Sequence, residues 1–132
     1  MAQQLPSEIH FFLLADAIRQ ELGGKLTIIG AYSGGGIVFA KNQTFPAAMP
    51  LSILVIFKDG EGTFQGKLRV LDPLNKPAIP EFPLGQVSKV ANQVMQLALN
   101  FPAFQFPSAG TFKVQIELDG HVYDESFSIT LA

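Results

Sequence analysis

The side chains that could carry out chemistry in this chain are few, because it contains no cysteine and two histidines. A catalytic centre would have to be assembled from a short set of polar residues: His10, Asp119, His121, Asp124, Glu125 and Ser126. General acid–base catalysis needs a histidine or a carboxylate beside the reacting group. Since Asp119, His121 and Asp124 lie close together at one turn, one hypothesis is a small enzyme or ligand-binding domain that uses this end of a hairpin.

A structural explanation accounts for the same residues with fewer assumptions. Asp119-Gly120 is a typical hairpin turn, because a type I′ turn needs positive φ at both central residues and these two residue types tolerate it. His121 follows the turn directly, so we expect it in solvent. His10 alternates outward at the start of a predicted first strand, where a histidine is more often a surface residue than a ligand. We therefore assign no catalytic residue and favour a protein without enzymatic activity.

Three carboxylates invite a metal hypothesis. Asp59, Glu61 and Asp72 could approach one another near a turn and bind calcium through their oxygens. Their spacing matches no known calcium-binding loop, and the sequence specifies no further oxygen ligand. We expect these residues to be solvated turn residues, and we predict neither a metal nor another cofactor.

Charge and composition narrow the possible partners and compartment. A net charge of −2 without a basic cluster argues against nucleic acid and against a membrane surface. With no cysteine, a reducing compartment suits the chain. Residues 1–8 lack the basic start of a signal peptide, and the apolar run at 11–15 is too short to cross a bilayer. We expect a cytoplasmic protein.

The elements that would position these residues are β-strands, because apolar and polar side chains alternate with a period of two. The alternation is clearest on both sides of Asp119-Gly120, and Asp59-Gly60 predicts a second hairpin. Residues 87–99 fit a helix and a strand almost equally, and we choose a strand because no helix stop signal follows. The predicted strands cover residues 25–32, 51–58, 64–70, 87–99, 112–118 and 123–131, with a first buried strand near 11–15.

About seven strands without alternating helices predict an all-β fold. We predict one domain, residues 1–132, in which two antiparallel sheets pack face to face as a β-sandwich. A chain of 132 residues is long enough to bury a core of its own.

The last third of the chain resembles the closing hairpin of immunoglobulin-like domains. The resemblance rests on FPSAGTF at residues 106–112, the strand that follows, and Asp119-Gly120. Together with GKLTIIGAY at residues 24–32, it makes the whole chain similar to a family of short bacterial immunoglobulin-like domains of uncharacterised function. The resemblance implies the fold. Because its motifs are turn and core residues, it implies no catalytic or binding residue.

Three predicted strands are apolar on both faces, although a two-layer sandwich buries one face of each sheet. Charged residues make up 15% of the chain, against about 25% in typical soluble domains. We predict an exposed apolar stripe that another surface covers: Phe12, Leu14, Ile29, Leu54 and Ile56. The cover is either internal, from residues 33–36 or 73–83, or a second molecule. The sequence thus predicts a non-catalytic protein-binding or structural module that acts through self-association or a protein partner; the alternative is a ligand-binding or enzymatic site near His121.

Overall fold

In the computed structural model, which describes residues 3–32 and 35–132, the chain folds into β-strands joined by short connections. Ser33 and Gly34, in one of the loops considered as a cover, lie outside the described residues. The described part contains nine strands: β1 (Phe11–Gln20), β2 (Leu26–Tyr32), β3 (Gly36–Phe39), β4 (Ala47–Phe57), β5 (Gly62–Leu71), β6 (Phe82–Lys89), β7 (Met95–Phe106), β8 (Gly110–Leu118) and β9 (His121–Leu131). A turn of 3-10 helix, Leu22–Gly24, joins β1 to β2.

The strands form two sheets. The four-stranded sheet has the order β2-β1-β4-β7 with antiparallel neighbours, and the five-stranded sheet has the order β3-β9-β8-β5-β6 with one parallel pair, β3 and β9. The prediction of an all-β protein with two packed sheets is confirmed, whereas the count of about seven strands is wrong. Residues 87–99 hold the end of β6 and the start of β7, because Asn92, with a φ of 64°, turns the chain between them. β3 is four residues long and gives too short a pattern to be recognised.

The two Asp-Gly turns have different roles. Asp119 and Gly120 have φ values of 48° and 85°, and β8 and β9 pair on either side, so the predicted type I′ hairpin is confirmed. The second predicted hairpin is wrong, because β4 and β5 belong to different sheets. Gly60 meets a steric requirement instead: a Cβ at this position would lie 2.7 Å from the backbone oxygen of Gln4. A close contact with the N-terminal segment thus explains this glycine.

Residues 3–10, here called the N-terminal strap, connect the two sheets. The hydroxyl of Tyr123 on β9 donates a 2.6 Å hydrogen bond to the carbonyl of Pro6. The backbone N of His10 donates to the carbonyl of Ile56 on β4 at 2.8 Å. The strap therefore joins a strand of the five-stranded sheet to a strand of the four-stranded sheet.

Both sheets contribute to one main core, in which phenylalanine rings form a continuous chain of contacts. Phe101, Phe104, Phe106 and Phe112 follow one another with ring centroids 5.7, 4.7 and 5.7 Å apart. Phe82 on β6 meets Phe101 on β7 edge to face at 5.8 Å. Since β6 and β7 are edge strands of different sheets, aromatic packing joins the sandwich on this side.

Candidate functional site

The hairpin end considered for catalysis does not bring its polar residues together. Asp119 accepts a 2.7 Å hydrogen bond from the backbone N of Gln65. His121 is exposed, and its ring lies edge-on to that of Tyr123 with centroids 4.6 Å apart. Asp124 is exposed too. Within the described residues, Asp119, His121 and Asp124 share no hydrogen bond or ion pair, so their arrangement offers no acid–base pair.

The three carboxylates considered for calcium do not form one cluster. Oδ1 of Asp72 accepts hydrogen bonds from the backbone N of Leu74 and of Lys76, each at 2.9 Å, and so stabilises its own turn. Asp59 and Glu61 line one cleft at the end of the sandwich. In residues 3–32 and 35–132, no three His, Cys, Asp or Glu side chains are grouped closely enough to bind a metal ion.

This polar cleft has a volume of about 710 Å³ and lies where the strap, the β4–β5 connection and the β6–β7 turn meet. Ser7 closes one wall: its Oγ donates to Oδ2 of Asp59 at 2.5 Å, and its backbone N donates to both carboxylate oxygens at 3.1 Å. The hydroxyl bond is the main reason why the pKa of Asp59 lies below its usual value. His10 lines the same cleft. Because its pKa is lowered, Asp59 is a weak base for activating the Ser7 hydroxyl, and among the described residues no hydrogen bond joins Ser7 to the His10 side chain, so the Ser7–Asp59 pair is a structural contact.

A buried lysine, Lys89, is bonded to the backbone beside the polar cleft. Lys89 is 2% exposed, and its Nζ donates to the carbonyls of Gly60 and Val90 at 3.1 and 2.8 Å. Buried charges are tolerated where hydrogen bonds replace their hydration. Lys89 therefore fixes the β4–β5 connection against the end of β6.

The five residues of the predicted apolar stripe do not share one surface. Phe12 and Leu14 pack in the main core, where Leu14 is 2% exposed. Leu54 and Ile56 belong to a second cluster, in which Leu54 is also 2% exposed. Ile29 is 47% exposed. The prediction of one exposed stripe is therefore wrong, because the two-residue period shows that side chains alternate without showing which set faces the core.

The cover over Leu54 is internal, and it is the distal half of the β1–β2 hairpin. Ile18 and Leu26 from this half pack with Leu54 in the second cluster. The side chain of Asn100 on β7 accepts a hydrogen bond from the Ile18 amide at 3.0 Å and donates to the Ile18 carbonyl at 3.1 Å. Since β4 separates β1 from β7 in the sheet, these contacts require the hairpin to fold over the outer face of β4. Sequence analysis missed this cover because an asparagine within a strand carries no signal of so distant a partner.

The hairpin bends where Asp16 lies opposite Gly30. Leu14 packs in the main core and Ile18 in the second cluster, although residues four apart in a regular strand lie on the same face. Gly30 has a φ of 66°, which interrupts the regular pleat of β2. The hydroxyl of Tyr32 donates to Asp16 at 2.8 Å. Burial, reinforced by this bond and by the charge of Asp16, raises the pKa of Tyr32 to about 12.

β2, which contains Gly30 at this bend, is the least protected edge strand of the two sheets. In residues 3–32 and 35–132, β2 pairs with β1 alone, and neither proline nor a charged residue occurs between Leu26 and Tyr32. Ile28 and Ile29 are 39% and 47% exposed. The other edges are protected by ordinary means: β7 contains Pro102, β6 contains Pro83, and β3 is short. An unprotected edge with exposed β-branched residues is a surface that can accept another strand.

The outer face of the five-stranded sheet has a different character. Arg69 donates to Glu81 at 3.1 Å and to Glu117 at 3.0 Å, and Lys67 lies within 3.9 Å of both carboxylates. The bond to Glu117 is the main reason why the pKa of Arg69 is raised. These four charged side chains pair with one another and remain 21–48% exposed, so this face has less reason to be covered than the edge of β2.

These features define an all-β protein of two packed sheets with one unprotected edge strand. The chain belongs to the family of unknown function DUF6941, whose family model matches residues 10–130. A search of the curated proteins found no match. Among solved structures, the chain is similar to a β-glucosidase from Listeria innocua in complex with isofagomine, with 8% identity and a TM-score of 0.39.

That alignment covers 91% of this chain and 16% of the β-glucosidase. A likeness at this level supports no argument about fold or activity. Within the described residues, no helix is both long and apolar enough to span a membrane.

Proposed function

We propose that the protein is a non-catalytic protein-binding module that takes up an extended segment of its partner along the free edge of β2. The observation that carries the proposal is an unpaired edge with two exposed isoleucines and no protecting charge or proline. In strand addition, backbone hydrogen bonds supply affinity, and pockets for alternate side chains supply specificity. Ile28 and Ile29 provide the apolar contacts beside the free backbone of β2.

The energetics require that the partner pairs along most of the strand. A backbone hydrogen bond contributes about 0.5–1.5 kcal/mol net, and full burial of an isoleucine about 1.5–3 kcal/mol. Ile28 and Ile29 are already more than half buried, so each can add less than the full amount. Association costs at least about 4 kcal/mol. A short contact with one isoleucine is therefore too weak, and a partner strand of several residues is needed.

The alternative function at the hairpin end has less support. Asp119 is engaged by the Gln65 backbone, and His121 is engaged by the Tyr123 ring. In the polar cleft, Ser7 donates to Asp59, whose lowered pKa makes it a weak base, and no hydrogen bond among the described residues joins Ser7 to the His10 side chain. Among the described residues, the free backbone edge of β2 pairs with no other strand.

A photo-activated crosslinker placed at residue 29 tests the proposal in the cells that produce the protein. We expect a covalent adduct of defined mass from position 29 and none from position 38. Val38 is a matched control because it is aliphatic, 63% exposed and located on β3, an edge strand of the other sheet. Adding Ile28→Lys to the protein with the crosslinker at 29 should abolish the adduct, because a charge at the edge opposes strand addition. Equal adducts from both positions, or none from either, would contradict the proposal.

A further inference from the structure

We infer that the strand received by β2 is β2 of a second copy of this chain, paired antiparallel about a two-fold axis through Ile29. The inference rests on the proposed function, because it names the occupant of the β2 edge. A two-fold axis pairs equivalent surfaces, so each β2 strand is added to the sheet of the other copy.

Side-chain size favours this register. With Ile29 facing Ile29 of the second copy, Ile28 faces Gly30, Thr27 faces Ala31, and Leu26 faces Tyr32. In the Ile28–Gly30 and Thr27–Ala31 pairs, the larger residue thus faces glycine or alanine. Since paired side chains lie about 4.5–5.5 Å apart, Ile28 meets no bulky side chain opposite it, and the two Ile29 side chains contact each other across the axis.

Charge favours the antiparallel direction. Lys25 lies immediately before β2, and β2 itself contains no charged residue. Antiparallel pairing places the two Lys25 residues at opposite ends of the paired strands, whereas parallel pairing would bring them together. Opposite charges across strands are stabilising and like charges are destabilising.

Closure of the sheet favours a second copy over another partner. Pairing two four-stranded sheets through β2 gives one eight-stranded sheet whose outer edges are both β7, which Pro102 protects. The pairing therefore removes the unprotected edge from both molecules. Two copies also contribute four isoleucines, which doubles the apolar burial that one copy supplies against the same association cost.

Single cysteines test the register directly, because the natural chain contains none. Under mild oxidation, Ile29→Cys should form a disulfide-linked dimer, while the matched control Val38→Cys stays monomeric. A mixture of Thr27→Cys and Ala31→Cys should crosslink more than either variant alone, because these residues face each other across the axis. A dimer that crosslinks equally well through residue 38, or not through residue 29, overturns the inference.

Sedimentation of the cysteine-free protein tests the dimer itself. We expect a dimer at micromolar concentrations, a dissociation constant at least about tenfold higher for Ile29→Lys, and no change for Val38→Lys. Urea unfolding of the dilute Ile29→Lys monomer should match that of the wild-type monomer, which shows that the fold is kept.

A wild-type protein that stays monomeric, or an Ile29→Lys variant that stays dimeric, overturns the inference. The crosslinker experiment at residue 29 then distinguishes strand addition by any partner from pairing with a second copy. A monomer that yields an adduct with another protein keeps strand addition and rejects the second copy. A monomer without an adduct rejects both.

Discussion

Gly30 is the residue on which the position of the β2 edge depends. Its φ of 66° lies in the left-handed region, which side chains other than glycine enter at a cost. The space beside it is also occupied: a Cβ on Gly30 would lie 2.8 Å from Cγ of Asp16. Asp16 in turn holds the hydroxyl of Tyr32. Backbone conformation and side-chain packing therefore fix the same bend.

Replacing Gly30 by alanine should destabilise the protein more than the same change at Gly85. Gly85 has a φ of 68°, and a Cβ added there would meet no atom within 4 Å, so Gly85→Ala incurs the conformational cost of about 1–2 kcal/mol alone. Gly30→Ala must also displace Asp16 from Tyr32, which adds about 1 kcal/mol or more. Urea unfolding of both variants measures the difference. Equal losses would show that Asp16 moves aside freely and that the bend is less tightly fixed.

At the scale of elements, the sequence predicts strands better than it predicts which side of each strand is buried. The Asp119-Gly120 hairpin is predictable because its cause is local: two residues that tolerate positive φ. Gly60 carries the same local signal, yet its close neighbour is Gln4, far away in the sequence. Leu54 is similarly unpredictable as a buried residue, since its cover depends on a hairpin that folds over β4. Long-range packing therefore accounts for both errors.

Asn100 holds that folded hairpin in place. Its side chain pairs with both backbone groups of Ile18, as a neighbouring strand would, and it also contacts the hydroxyl of Ser52. No backbone group of β4 or β7 pairs with Ile18 in the register of the described strands. One asparagine thus replaces a stretch of strand pairing where the hairpin leaves the sheet.

Removing the Asn100 side chain should loosen the distal hairpin selectively. We expect Asn100→Ala to lower the free energy of unfolding by about 1–3 kcal/mol and to speed hydrogen exchange of the Ile18 amide. The exchange rates of amides in the centre of β8 should change less, because β8 pairs with a strand on each side. Asn42→Ala is a suitable control, since Asn42 is exposed at a turn. Uniformly faster exchange throughout the protein would contradict a local role for Asn100.

At the scale of the whole molecule, the two tyrosines mark two places where distant parts of the chain are joined. Tyr32, the last residue of β2, is bonded to Asp16 in the middle of β1, and Tyr123 connects β9 to the strap through Pro6. Both hydroxyls donate a proton in these bonds, so both bonds need the neutral phenol. Burial raises the pKa of Tyr123 to about 12, with a further contribution from the charge of Asp59.

The protein should therefore lose stability at alkaline pH through these two residues. Both pKa values are raised from 10.0 to about 12 in the folded state, so the unfolded chain releases its phenolic protons first. Their stabilisation is complete below pH 10 and is lost as the pH rises through 12. The chain has two tyrosines and no tryptophan, so near-ultraviolet absorbance reports their ionisation without interference. Tyr123→Phe and Tyr32→Phe should each weaken the alkaline dependence of unfolding, although each also removes a hydrogen bond at neutral pH. Phenols that ionise near pH 10 while the sheets remain folded would show that neither bond depends on the buried neutral form.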